Sequence, residues 1–215
     1  MGLPWNRWFL GGKINIVHNC IDRHVRDGKY NKVAFYWEGG DGLSRKCTYG
    51  WLYEAVNKVS QSLKNSGIKK GDSVGIYMSF TAEAIVAMFA SMKIGAVPLP
   101  IMSGFGPEAV AERLHIAKTK ILFTSDGFPM KDKHIILKNT INDVLKKIPS
   151  IKKVVVVKRI GGKTIMETGR DIYWEDFREN GRYNNSIETV HLNAEDPALI
   201  MFTSGTTGKP KGVIH

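Results

Sequence analysis

The stretch S-V-G-I-Y-M-S-F-T-A-E-A-I-V-A-M-F-A-S-M-K-I-G-A-V-P-L-P-I, residues 73–101, decides the fold. Residues 73–79 are a short, continuous apolar run, the pattern of a strand buried on both faces. Residues 82–94, rich in Ala and Met, are long enough for a helix, and residues 97–101 return to a strand. The same alternation continues on the C-terminal side. A helix is predicted over 107–118 with Pro107 at its first position, then a strand over 120–124. Residues 135–148 form an amphipathic helix through Leu137, Ile141, Val144, Leu145 and Ile148. Strands follow at 153–158, with four valines, and at 198–204, the latter read as buried. Strand–helix alternation with continuous apolar strands predicts an α/β fold: a predominantly parallel sheet flanked by helices.

Upstream the pattern changes. Residues 33–37 and 45–49 flank E-G-G-D-G-L-S and read as an N-terminal β-hairpin. Leu52, Val56, Val59 and Leu63 form one helical stripe that Gly67 is placed to stop. Residues 17–25 read as helical. Residues 160–195 read as a long polar connection with a short helix at 174–178.

Composition excludes several classes. With 215 residues, 43% of them hydrophobic and 24% charged, disorder, collagen-like structure and coiled coil do not fit. Cys20 and Cys47 cannot build a disulfide framework, so a cytoplasmic setting is expected. No run approaches the ~20 apolar residues of a membrane span, so no membrane partner is expected. The net charge of +11 is concentrated. Residues 118–163 hold twelve basic side chains against Asp126, Asp132 and Asp143, a local excess of +9. The readings are a solvated surface, a phosphorylated small ligand or nucleic acid. Nucleic acid ranks last, because only Phe123 and Phe128 are interleaved with the lysines.

Two glycine-rich signals carry chemistry. Gly104-Phe105-Gly106-Pro107-Glu108-Ala109 fits G-x-G-x-x-A, with Asp126 about 20 residues on, as in a dinucleotide fingerprint. Pro98 and Pro100 in the preceding strand argue against it, and a tight strand-to-helix turn is the simpler reading. The stronger signal is Thr203-Ser204-Gly205-Thr206-Thr207-Gly208-Lys209-Pro210-Lys211-Gly212. Glycines let backbone N–H groups face an anion, hydroxyls donate, and lysines neutralise charge: a polyphosphate cradle. It is not a Walker A loop, because Pro210 stands where a magnesium-holding hydroxyl should follow Gly208-Lys209.

T-S-G-T-T-G-K-P-K-G, preceded by E-D-P-A-L-I-M-F, closely resembles the signature loop of the adenylate-forming superfamily. W-F-L-G-G-K-I-N-I-V-H-N-C-I-D-R-H, V-A-F-Y-W-E-G, K-K-G-D-S-V-G-I-Y-M and S-G-F-G-P-E-A-V-A-E-R-L, in that order, resemble the AMP-forming acetyl-CoA synthetases. The resemblance spans essentially the whole chain. It implies activation of a short, acetate-like carboxylate with ATP to acyl-AMP, then transfer to coenzyme A. It also implies that Thr203, Ser204, Gly205, Thr206, Thr207, Gly208, Lys209 and Lys211 meet the ATP phosphates, with Lys211 the candidate catalytic residue. Coenzyme A contacts fall at Gly104 and in the segment 125–134, where Met130 and Lys133 stand at the family's arginine positions with Lys131 adjacent. Arginine-to-lysine is not neutral at a phosphate clamp.

The family's adenine-site strand, magnesium-binding Glu, ribose-binding Asp, hinge and C-terminal domain are expected beyond His215. Residues 1–215 then form the N-terminal portion of an AMP-binding domain, an incomplete adenylate-forming fold inactive alone. Magnesium is expected with the whole enzyme, its ligand not in this chain. An exposed sheet edge is expected to promote self-association. The alternatives are a non-catalytic nucleotide- or polyanion-binding module, and another adenylate-forming ligase of medium-chain or acetoacetyl type.

Overall fold

The computed structural model describes residues 9–181, 187–203 and 210–215. In chain order the elements begin with β1 (Lys13–Ile14), a π-helical turn (His18–Asp22) and α1 (Arg23–Arg26). Then come β2 (Val33–Glu38), β3 (Ser44–Thr48), α2 (Tyr49–Asn65), β4 (Ser73–Tyr77), α3 (Ala82–Lys93), β5 (Val97–Ile101) and α4 (Pro107–Ile116). They continue with β6 (Ile121–Ser125), β7 (Gly127–Met130), β8 (Lys133–Ile136), α5 (Lys138–Leu145), β9 (Lys153–Val157), β10 (Asp171–Tyr173) and α6 (Trp174–Glu179). The last are β11 (Leu192–Asn193), β12 (Ile200–Thr203) and β13 (Lys211–Ile214). None of the helices is long and apolar enough to cross a membrane among the described residues.

Five strands form one parallel sheet in the order β10-β9-β6-β4-β5. Its strands are apolar on both faces because both are covered. Val74, Ile76, Ile121, Phe123, Val155 and Val157 face the layer that holds α2, α3 and α6. Tyr77, Leu99, Leu122, Val154 and Val156 face the opposite layer, with α4 and α5. Phe123 meets the rings of Trp174 and Phe177 edge-on at 5.9 and 5.6 Å. Thr48 and Thr81 cap α2 and α3, accepting from the Trp51 and Ala84 N–H groups. Gly67, at φ +81°, ends α2 in the left-handed conformation that glycine adopts without steric cost.

Pro98 and Pro100 are compatible with β5 because it is an edge strand of the sheet. Val97, Leu99 and Ile101 share the other register parity, and the Val97 N–H bonds Asp72 on the β4 side. The prolines therefore cost no ladder bond. This edge is not an open row of donors, since its outward positions are Pro98 and Pro100, which have no N–H.

Three sequence expectations need correction. The strand at 198–204 exists as β12, but it is not a buried member of the parallel sheet. It pairs antiparallel with β13, and only Ile200 and Phe202 lean on the core while Met201 and Thr203 are exposed. Residues 127–136 form a hairpin, β7–β8, so the helix predicted from 135 starts at Lys138. The connection 160–195 contains β10, which extends the parallel sheet beside β9. The rejection of the dinucleotide fingerprint stands: the Asp126 carboxylate takes the N–H groups of Arg159, Ile160 and Gly161 at 2.8, 3.1 and 2.9 Å.

Candidate active site

In open parallel sheets ligands sit outside the carboxyl ends of the strands. Here β5 leads into the turn 102–106, which holds Gly104, before Gly106 and Pro107 open α4. β6 leads through Asp126 into the β7–β8 hairpin. The Asp126 carboxylate fixes that corner by holding the turn after β9, and its carbonyl accepts from the Leu137 N–H at 3.1 Å. An apolar cavity of about 380 Å³ opens at this end, lined in part by Ile85, Met88, Pro100, Met102, Gly104 and Met201.

Gly104 is exposed, and a Cβ added there would meet nothing within 4 Å. The chain's own packing therefore does not require glycine at this position. Lys131 and Lys133 sit at the tip of β7–β8, both exposed and without an ion pair among the described residues. Met130 pairs with Lys133, so Lys131 and Asp132 form the two-residue turn. Lys131 takes it at φ +53°, a left-handed conformation unusual for a side chain with a Cβ.

Thr203 and Lys211 are the register partners that flank residues 204–210 in β12–β13, so their side chains share one face. Met201 and Val213 share that face by alternation, and Met201 lines the apolar cavity. Ser204, Gly205, Thr206, Thr207, Gly208 and Lys209 lie outside the described residues. The structure thus brings Thr203 and Lys211 together, and puts them on the Met201 side of the hairpin. It places Gly104 in the turn after β5 and the Lys131–Lys133 turn on the hairpin after β6, the two strands that flank β4.

Several side chains that organise this end carried no simple motif. Tyr77, buried at the end of β4, donates its hydroxyl to the Phe105 carbonyl at 2.8 Å, and burial raises its phenol pKa. Arg113 lies on the buried face of α4 between Val110 and Leu114. A charged residue on an apolar stripe was the signal that could have found it. Away from this end, a polar cleft of about 420 Å³ surrounds Asn15, Asp22, Lys93 and Thr189. Burial lowers the Lys93 pKa, while Asp22, 3.0 Å away, opposes the shift.

The parallel sheet covered by helices on both faces, with a glycine turn after β5 and the Thr203–Lys211 pair beside it, defines an α/β domain. The AMP-binding enzyme family profile matches residues 21–215, and the chain belongs to that family. Acetyl-coenzyme A synthetase from Methanothrix thermoacetophila is 43% identical over 213 residues, covering 99% of this chain and 32% of that protein. 3-Hydroxypropionyl-coenzyme A synthetase from Metallosphaera sedula is 40% identical over 215 residues, with 99% and 32% covered. The chain spans about a third of the length of these curated relatives. The structure of acetoacetyl-CoA synthetase from Streptomyces lividans superimposes with a TM-score of 0.87 at 22% identity, over 99% of this chain and 32% of that one. That likeness establishes the α/β fold.

Proposed function

We propose that residues 1–215 form the N-terminal portion of the AMP-binding domain of an AMP-forming acyl-CoA synthetase acting on a short carboxylate. A carboxylate oxygen attacks the α-phosphorus of ATP, and the bond to pyrophosphate breaks. The thiol of coenzyme A then attacks the acyl carbon, AMP leaves with the former acyl C–O bonding electrons, and the thiol proton is released. Thr203 and Lys211 sit at the mouth of the phosphate loop and, with Ser204 to Lys209, position and neutralise the departing pyrophosphate. Magnesium would accompany the nucleotide and lower the charge on its phosphates. Gly104, Lys131 and Lys133 are assigned to coenzyme A. The relatives named for acetyl and 3-hydroxypropionyl groups support a two- or three-carbon acid. A cytoplasmic setting fits the free thiols Cys20 and Cys47.

The observation that carries this reading is the Thr203–Lys211 register pair, which frames the hydroxyl- and glycine-rich loop from both sides. ATP–pyrophosphate exchange in a polypeptide that supplies the rest of the fold tests it. Lys211→Ala is expected to lower exchange about 100-fold, and unchanged exchange refutes the cradle. The 215-residue chain alone is expected not to turn over; robust exchange by it removes that part. Calorimetry with ATP, coenzyme A and single-stranded DNA is expected to favour the first two. Tighter, salt-sensitive DNA binding would instead identify a polyanion-binding module. Self-association through a sheet edge belongs to the same proposal, and a strictly monomeric chain in sedimentation removes it.

A further inference from the structure

Arg113 is only 8% exposed, yet it forms no ion pair among the described residues. Its Nη1 donates to the Ala109 carbonyl at 2.7 Å, and its Nε has no hydrogen-bond partner. Burying a cation this way is costly unless something else compensates. Two aromatic rings do. The guanidinium carbon lies 4.2 Å from the Phe105 ring centroid and 5.7 Å from that of Phe202.

Those rings belong to different parts of the candidate site. Phe105 follows Gly104 in the turn after β5, and its backbone is held by Tyr77 and by an N–H bond to the Met102 carbonyl at 3.1 Å. Phe202 sits in β12, one residue before Thr203, opposite Gly212. β12 shares no ladder with the parallel sheet, so side-chain packing sets its place beside β5. Arg113 spans that gap. A leucine or methionine would fill the space without an unsatisfied Nε, so simple packing does not explain the choice.

We propose that Arg113 is a positioning residue that couples the Gly104 turn to the β12–β13 hairpin, so that a ligand ordering one favours the ordered form of the other. The coupling rests on the reading above, in which the turn meets coenzyme A and the hairpin meets the ATP phosphates. A planar guanidinium is needed because an ammonium cannot stack on two rings. Arg113→Lys should therefore fail to restore what Arg113→Met removes.

Hydrogen exchange on the 215-residue chain tests the coupling without any ligand. Both variants are expected to speed exchange about tenfold or more in two places, residues 102–106 and the β12–β13 strands, with β6 and β9 unchanged as the folding control. Acceleration on one side only, or full protection in Arg113→Lys, overturns the proposal. A second measurement uses the longer polypeptide, titrating coenzyme A with and without a non-hydrolysable ATP analogue. The unsubstituted protein is expected to show about fivefold or greater coupling, and Arg113→Met a value near one. Equal coupling in both overturns the proposal. If the unsubstituted protein binds neither ligand, the functional reading fails while the exchange result still decides the coupling.

Discussion

At the amino ends of β4, β6 and β9 the chain places Lys69 and Lys70, Lys118 and Lys120, and Lys152. At the carboxyl ends of β5 and β6 it places Gly104, Gly106, Asp126 and Gly127. The +9 segment is divided between these ends. Lys118, Lys120, Lys146, Lys147, Lys152 and Lys153 cluster where α4 and α5 finish and where β6 and β9 begin. Lysines there complement the negative ends of helix dipoles and edge the apolar strands. Lys120 and Lys146 are also paired, with Asp72 at 2.7 Å and Asp143 at 3.0 Å. Lys131 and Lys133 lie at the other end, on a hairpin where neither makes an ion pair among the described residues. Much of the positive charge thus has a local structural use, and only a smaller share is presented where a phosphorylated ligand would arrive.

The distinction assigns large stability effects to buried charge and small ones to the rim. The sharpest case is Asp171, whose side chain, like that of Lys138, has no exposed surface and lies 2.7 Å from the Lys138 Nζ. Asp171→Ala leaves that cation buried and is expected to cost about 3–5 kcal/mol in urea unfolding. A cost below 1 kcal/mol would break the distinction. Replacing both partners, Lys138→Met with Asp171→Leu, is expected to recover only part of the loss, because Arg170 and the Glu167 N–H still lose the carboxylate. Burial pushes the Asp171 carboxyl pKa up, but Arg170, the Glu167 N–H and Lys138 outweigh it, and the net value is lowered. A lowered folded pKa means that this stability is present above the ordinary aspartate value of 3.8 and is lost as pH falls through the folded one. Asp171→Ala should flatten the acid limb of stability against pH; an unchanged limb would assign acid unfolding to other groups.

At the carboxyl end, Asp126→Ala orphans the N–H groups of Arg159, Ile160 and Gly161 together. The expected loss is about 2–3 kcal/mol, because water can reach part of the turn. Hydrogen exchange should rise at 159–161 and at the base of β7–β8. A loss spread evenly over the sheet would show that Asp126 braces the whole core rather than this corner.

The fold was legible wherever burial leaves a period. Residues 73–101 were read as strand, helix, strand, and the structure has β4, α3 and β5 there. The misses share a cause. The β7–β8 turn is Lys131–Asp132, without the glycine or asparagine that marks a two-residue hairpin turn. β10 is only Asp171–Tyr173, too short for a period to appear. β12 is half-buried because it packs beside β5 without joining its ladder, and the seven apolar or hydroxyl residues 198–204 in a row cannot express that difference. Lys138 looked like a solvated lysine because its partner lies 33 positions away. The loop motif could be picked out because its residues are contiguous; Arg113 could not, because its two rings come from distant segments.

Lys131 tests the functional end against stability. Its φ of +53° costs about 1 kcal/mol that glycine would not incur. Lys131→Gly is therefore expected to raise stability by about 1 kcal/mol while weakening coenzyme A binding in the longer polypeptide. Stability gained with affinity unchanged would remove Lys131 from the proposed contacts.

The smallest effect is expected at the other end. Lys118, Lys147 and Lys152 are exposed and make no ion pair among the described residues. Changing all three to Gln removes three positive charges of the +11. Stability is expected to move by no more than about 0.5 kcal/mol per site, since exposed charges are screened and only the helix-end contribution is lost. Nucleotide and coenzyme A affinities are expected to stay within about twofold, because screening over roughly 8–10 Å separates these lysines from the far end of the sheet. A large drop in coenzyme A affinity from this triple change, with Lys131 and Lys133 intact, would mean that the charge acts as one field across the whole domain. In that case the excess would serve long-range steering of an anion, and its strength would fall steeply with added salt.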